Sequence, residues 1–346
     1  MNLEKLYGKV AETIEKLDFQ KIWPGFLPLK FALYNDKECF FNGHYIEKTD
    51  AFCANTSIVY EGESIAIWNV MEELEIPVLA SKMVHEMFHG FQFRQEWTCW
   101  PNEMEALYRY EYDADHLSLK LYENRLLLDL LDHFDDETYQ ELLSYRKLRS
   151  EKHPYEFSYE SKVEEIEGTA NYVEWQVLKQ LDEQKAARFL DQMREVMMKP
   201  DHLFPIRISC YYTGALMIRA LAQAGQYSFE TKERPAIMPI LQDVLPSDGS
   251  FPDQEDYRQR IADTIDAFNE ESRSIVETAL KKNEIVLNGP YDLLGLNIYN
   301  ARHYKEYLIT TYFLMYLDEG NNKMLPGDFV IRMADEKTIL CVYRWR

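Results

Sequence analysis

The sequence predicts an α+β fold, predominantly α, with a small N-terminal sheet, a large helical lobe and a C-terminal β-hairpin region. Three observations carry this reading. Short β-type segments at residues 29–34, 39–46, 56–60 and 64–70 crowd the first part of the chain. Between about residues 81 and 282 the apolar positions recur mostly at helical spacing. The C-terminal end returns to strand-like segments at 328–333 and 338–343, joined across Ala334-Asp335-Glu336-Lys337. With 346 residues the chain is long enough for two or three packed units. The expected division is 1–98, a sheet lobe with the first motif-bearing helix; 99–283, the helical lobe; and 284–346, a mixed subdomain with the hairpin.

Taken in order, residues 3–17 read as an amphipathic helix that Trp23-Pro24-Gly25 ends. The strands follow, with turns at Asn35-Asp36-Lys37 and Glu61-Gly62-Glu63. The next helix has Ser81 as its cap and Val84, Met87, Phe88 and Phe91 as its apolar face. Helices are then expected at 102–131 with a break near Asn124, at 136–149 capped by Asp135 or Asp136, at 160–180 and at 183–198. Residues 152–157, around Pro154, read as a connector, and 200–205 as a loop. Residues 208–222 are apolar on most sides, which predicts a buried helix. Residues 235–253, rich in Pro and Asp, read as a mobile connection before a last helix at 257–282.

The formal charge of −21 excludes nucleic acid and anionic membrane surfaces as natural partners. Five cysteines, none in metal-type or redox-type spacing, predict free thiols in a reducing compartment. Residues 1–6 carry charges where a signal peptide needs an apolar core, and the apolar run near 307–317 is too short to span a bilayer. The expectation is a soluble cytoplasmic protein.

The chemistry centres on Val84-His85-Glu86-Met87-Phe88-His89-Gly90, which contains the pattern His-Glu-x-x-His. Positions four apart share a helix face, so His85 and His89 can turn two imidazole nitrogens to one ion. Glu86, one position round, can sit beside that ion without binding it and take a proton from a metal-bound water. The ion implied is Zn2+. A catalytic zinc takes three protein ligands, so a third must come from elsewhere. The helix at 160–180 offers Glu167, with Glu164 as its rival on the same face. Gly168 and Ala170 are small enough to let that helix approach the His-Glu helix. Asn171, one turn after Glu167, can hydrogen-bond a ligand His from behind. Asp113, Asp115 and His116 are a lesser metal-ligand set, and a charged helix face interacting with its neighbours is the preferred reading of them.

The stretch from Glu167 through Gly168, Thr169, Ala170, Asn171, Tyr172 and Val173 to Glu174 resembles the third-ligand helix of the gluzincins, especially the aminopeptidase N family. The resemblance implies a zincin, thermolysin-like catalytic core and assigns the ligand to Glu167. Tyr211-Tyr212-Thr213-Gly214-Ala215 is similar to the family's Tyr-x-x-Gly-Ala segment, whose Tyr stabilises the tetrahedral oxyanion. The matching position is Tyr211, with Tyr212 adjacent. A phenol is a neutral donor suited to a developing oxyanion. In zinc peptidases the strand before the His-Glu helix is the sheet edge on which an extended substrate lies. Ser64, Ile65, Ala66 and Ile67 are the matching stretch, and an interior strand is the alternative.

The chain departs from the family in three ways. The spacer between His89 and Glu167 is much longer. The Gly-Ala-Met-Glu-Asn stretch that holds a substrate's free amine is absent, as is the N-terminal β domain. The expectation is therefore a zinc metallopeptidase, a hydrolase acting on a peptide or protein substrate, without aminopeptidase specificity. A non-catalytic zincin-fold peptide-binding or regulatory module is the rival, against which Glu86 counts, since a binder needs no base.

Overall fold

In a computed structural model that describes residues 2–230 and 233–346, the chain is mixed α and β, with a small sheet near the N-terminus and a second sheet at the C-terminus. It opens with α1 (Leu3–Ile14) and the short α2 (Phe19–Ile22), which lies before Trp23. Strands β1 (Lys30–Tyr34), β2 (Cys39–Phe41), β3 (His44–Ile46), β4 (Thr56–Tyr60) and β5 (Glu63–Asn69) form a sheet of order β3-β2-β1-β5-β4. Segment 39–46, expected as one strand, is thus two. Only the β1–β5 pair is parallel. Alternation sorts the two faces. Phe31, Leu33 and Ala66 join the main core, while Ala32, Tyr34, Ile65 and Ile67 pack with Phe52 on the other side.

This order corrects one expectation. Ser64, Ile65, Ala66 and Ile67 lie in an interior strand, paired to β1 through Lys30–Ala32 and to β4 through Thr56–Val59. Their backbone groups are used on both sides, so no peptide can add there. The free edge on that side of the sheet is β4.

The helical region follows as α3 (Ile76–Arg94), α4 (Glu103–Arg109), α5 (Ala114–Asp132), α6 (Asp136–Lys152), α7 (Pro154–Val163), α8 (Thr169–Leu181), α9 (Glu183–Met197), α10 (Ile206–Gln223), the short α11 (Ile237–Ile240) and α12 (Gln254–Lys282). Several boundaries differ from the sequence reading. Helix α3 starts at Ile76 with Pro77 in its first turn, where a missing N–H costs nothing. Ser81 is therefore not a cap; it is buried and its hydroxyl donates to the Val78 carbonyl at 2.9 Å. The break in 102–131 falls at residues 110–113, not near Asn124, because Asp113 caps α5 by accepting from the His116 N–H at 2.8 Å. Asp135, not Asp136, caps α6. Residues 152–157 are no connector, since Pro154 opens α7. The expected loop at 200–205 carries a short 3-10 turn at Pro200–Leu203.

A single apolar cluster runs from Leu3 through Ile261, so the regions 1–98 and 99–283 share one core. The C-terminal region is more than a hairpin. Strands β6 (Ile285–Leu296), β7 (Arg302–Tyr304), β8 (Tyr307–Thr310), β9 (Phe313–Asp318), β10 (Asn321–Pro326), β11 (Phe329–Met333) and β12 (Thr338–Arg344) form one antiparallel sheet of order β10-β9-β6-β12-β11-β8-β7. The expected hairpin is its β11–β12 pair. Ile309 and Val330 pack on Val276 and Ala279 of α12. Their strand neighbours Leu308, Phe329 and Ile331 face the other way and join a cluster that includes Met104, Leu107 and Tyr108 of α4. No helix among the described residues is long and apolar enough to cross a membrane, and all five cysteines are free.

Candidate metal centre

Helix α3 presents His85 and His89 one turn apart, both with little exposure. The third group comes from the rod formed by α7 and α8, which a π-helical turn, Glu164–Gly168, interrupts. Such a turn rotates the side chains around it and is common at functional sites. Its three glutamates go three ways. Glu164 accepts from Lys120 at 2.9 Å, from Thr213 at 2.6 Å and from Arg146. Glu165 accepts from the Ile237 N–H at 2.9 Å and from Arg234. Glu167 turns to α3, with its Oε2 3.2 Å from His89 Nε2 and 3.6 Å from His85 Nε2.

One ligand atom each from His85, His89 and Glu167 lies within 4.8 Å of the others. Zinc bonds of about 2.0–2.2 Å define a tetrahedron with edges of about 3.3–3.6 Å. The two separations from Glu167 are about that size, so the three groups can share one metal ion.

The charges agree. Burial pushes the His85 imidazole down, but the Glu167 and Glu174 carboxylates outweigh it and raise it to about 10. His89 is raised against burial by Glu167. Burial pushes Glu167 up, yet His89 and Arg207 hold it well below the usual carboxylate range. The cluster therefore favours positive charge at its centre. Glu86 is buried beside it; burial raises its pKa, the two His lower it, and Glu167 and Glu174 raise it further.

Groups behind the ligands fix their orientation. His89 Nδ1 lies 2.8 Å from Gln92 Oε1, which places the hydrogen on Nδ1 and leaves Nε2 for a metal. Gln92 is itself held, donating to the Ile166 carbonyl at 2.8 Å and to Thr169 at 2.9 Å. His85 Nδ1 faces Glu174 Oε2 at 3.4 Å, and Lys82 lies 3.3 Å from the other oxygen of Glu174. Asn171 does not fill this role. It donates to the Tyr211 carbonyl at 3.2 Å, because one turn after Glu167 the helix faces α10. Glu174, seven residues after Glu167 and about 60° round the helix from Asn171, is the one that stands against His85.

The ligand helix does pack against α3 as expected, through α8, but Gly168 serves a second close crossing. A Cβ on Gly168 or on Gly214 would collide with the backbone of the opposite helix, so the π turn presses on α10 rather than on α3. This crossing brings α10 and its tyrosines to the centre. The Tyr211 ring stacks near His85, centroids 6.1 Å apart and planes 12° apart. Its hydroxyl is 3.5 Å from an Arg207 nitrogen. Burial, with Glu167 adding to it, raises the phenol well above its ordinary value, so it stays a proton donor. Tyr212 instead stacks on His202 at 5.1 Å.

Arg207 is a site residue the sequence reading missed. It pairs with Glu167 Oε1 at 2.5 Å and with Glu103. Glu174, Gln92 and Arg207 stand seven, three and four residues from the motif positions Glu167, His89 and Tyr211, so helical spacing from those positions would have pointed to them.

No family model, curated protein or solved structure matches this chain. The reading of the centre therefore stands on its geometry.

The lesser metal set lies elsewhere. His116 is fully buried, 2.9 Å from Glu160. Asp113 caps α5, and Asp115 pairs with Arg258 at 2.7 Å on the surface. The rival ligand Glu164 belongs to the same buried ionic cluster as His116 and Glu160.

Glu167→Ala is expected to abolish most zinc binding, read by elemental analysis after dialysis. Glu164→Gln, which keeps hydrogen-bonding capacity beside Arg146 and Lys120, is expected to retain it. Zinc lost only from the Glu164 variant would move the ligand by one turn.

Proposed function

We propose that this chain is a zinc metallopeptidase of the gluzincin type, with His85, His89 and Glu167 as ligands and a zincin-like arrangement of small sheet, His-Glu helix and ligand helix. The observation that carries the reading is the convergence of those three ligand atoms at zinc-like spacing, with a carboxylate and a phenol beside them. Zinc, when bound, supplies a Lewis acid that polarises the scissile carbonyl and acidifies a water. Glu86 accepts the proton of the attacking water and passes it to the leaving amine. Tyr211 donates to the carbonyl oxygen as negative charge develops on it. Arg207 holds Glu167 and lies beside the Tyr211 hydroxyl, so it orients both groups.

An extended peptide needs a free strand edge. β4 supplies it in place of the stretch first expected. Ser57 of β4 lies close enough to Gly90, the residue after His89, that a Cβ there would come within 2.8 Å of its hydroxyl oxygen. The edge thus runs beside the His89 end of α3. The substrate is a peptide or protein, and five unpaired thiols support a cytoplasmic location.

Zinc-loaded protein is to be incubated with an unbiased peptide mixture and the products read by mass spectrometry. Cleavage that chelation stops and zinc restores supports the reading; a zinc-loaded protein inert to every peptide overturns it. Within the same assay, Tyr211→Phe is expected to lower turnover about a hundred- to thousandfold while zinc content stays constant. Tyr212→Phe is the matched control, because its ring sits on His202. Loss confined to Tyr212→Phe would transfer the donor role by one position.

A further inference from the structure

We propose that Tyr299, carried by the C-terminal sheet region, contacts the substrate: its hydroxyl donates to a backbone carbonyl of an extended peptide bound beside Tyr211. This rests on the peptidase reading above. Tyr299 lies in the short turn Ile298–Asn300, which Asn297 caps by accepting from its backbone N–H at 3.3 Å. Its ring meets Tyr211 edge-on, centroids 6.5 Å apart. Tyr211 in turn stacks on His85, so Tyr299 is one ring away from a ligand. Its phenol feels Lys82 of α3, Glu167 of the π turn, Arg207 of α10 and Glu174 of α8, which are the groups that surround the centre.

Two properties separate Tyr299 from a packing residue. It is 46% exposed, and no protein partner for its hydroxyl is present among the described residues. A large ring held at the centre with its polar end unpaired suits contact with a ligand, since tyrosine adds area and a donor with little rotamer freedom to lose.

The turn is also well anchored. Asn297 donates to Thr311 at 3.2 Å. Arg302 pairs with Glu271 at 2.7 Å and covers the Phe268 ring at 4.4 Å. The sheet docks on Met104, Leu107 and Tyr108 of α4, the helix whose Glu103 grips Arg207. One docking event therefore fixes both Tyr299 and the support of ligand Glu167. The C-terminal sheet region thus brings a residue to the centre rather than standing apart from it.

The test compares wild type, Tyr299→Phe and Tyr299→Ala, all zinc-loaded, on one peptide cleaved by wild type. The same two changes in a Glu86→Gln background report peptide affinity by calorimetry, independently of turnover. The expected result is unchanged zinc content and melting. Tyr299→Phe lowers kcat/KM and peptide affinity about three- to tenfold, the effect of one hydrogen bond, and Tyr299→Ala lowers them further. If wild type is active and both variants keep kcat/KM and affinity within about twofold, Tyr299 has no contact with substrate while the peptidase reading survives. A wild type that cleaves nothing overturns the peptidase reading and this inference with it.

Discussion

Glu86→Gln is expected to retain zinc and to lose hydrolysis. The carboxylate is not one of the three converging ligand atoms, so its replacement removes no metal bond. In the proposed mechanism it removes the group that takes the proton from the attacking water, a contribution of about a hundred- to ten-thousandfold in turnover. Stability is expected to hold or rise. Burial disfavours the charged Glu86 carboxylate, and although His85 and His89 favour it, the net effect with Glu167 and Glu174 raises its pKa, so a neutral amide of the same shape relieves that cost. Zinc by elemental analysis, melting by circular dichroism and turnover on one peptide give three separate readouts. A variant with wild-type turnover would remove the base from the mechanism. One that lost zinc would make Glu86 part of the ligand shell.

The chemistry of the centre was legible because it is written at helical spacing. His85 and His89 four apart place two donors on one face of α3, whereas Glu167 is preferred to Glu164 through the resemblance, and the close approach at Gly168 is to α10. The partner of each donor was harder to read, because a helix offers several faces and only the packing selects one. Asn171 and Glu174 both lie on the helix of Glu167; the crossing at Gly168 and Gly214 sends Asn171 toward α10 and leaves His85 to Glu174. The same limit applies to Ser64–Ile67. Its composition reads as a strand, but edge or interior depends on strand order, and β1 pairs with β5 across the hairpin that intervenes. Tyr299 was out of reach for a different reason. Nothing local marks a tyrosine in a short turn, and its place at the centre depends on how the C-terminal sheet docks.

The least legible feature is a buried ionic cluster behind the ligand helix. Lys120, Arg146 and Arg149 face Glu123, Glu160 and Glu164, all with almost no exposure. On paper these are ordinary charged helix positions. In the fold the three positive charges balance the three negative ones, and His116 joins through Glu160. Because Glu160 and Glu164 sit on α7 and in the π turn, the cluster anchors the segment that delivers Glu167.

Arg149→Met is therefore expected to cost about 3–5 kcal/mol, the usual effect of removing one partner from a buried ion pair. The guanidinium reaches Glu123 with two bonds of 2.7 and 2.9 Å and Glu160 with two of 3.0 and 2.9 Å. Its loss leaves Glu123, among the described residues, with Arg146 alone, 3.6 Å away, and leaves one negative charge unbalanced in a buried site. If that imbalance is the cause, Arg149→Met combined with Glu123→Met restores charge neutrality and recovers much of the loss. Urea unfolding at pH 7 measures both variants. A single-variant cost below about 1 kcal/mol, or a double variant no better than the single, would mean the cluster contributes little.

Acid gives an independent check. Burial pushes Glu164 up, but Arg146 and Lys120 bring it down to about 2, and Arg149 and Lys120 hold Glu160 well below the usual range. Both carboxylates have depressed values in the fold. Their stabilisation is thus fully present above the ordinary glutamate value of about 4.3; that of Glu164 is lost as pH falls through about 2, and that of Glu160, which faces Arg149, as pH falls through its own depressed value. The gap between wild type and Arg149→Met should accordingly be wide at neutral pH and narrow in that acid window. A gap independent of pH would assign the cost to packing around Phe157, which the Arg149 guanidinium covers at 5.1 Å, rather than to charge.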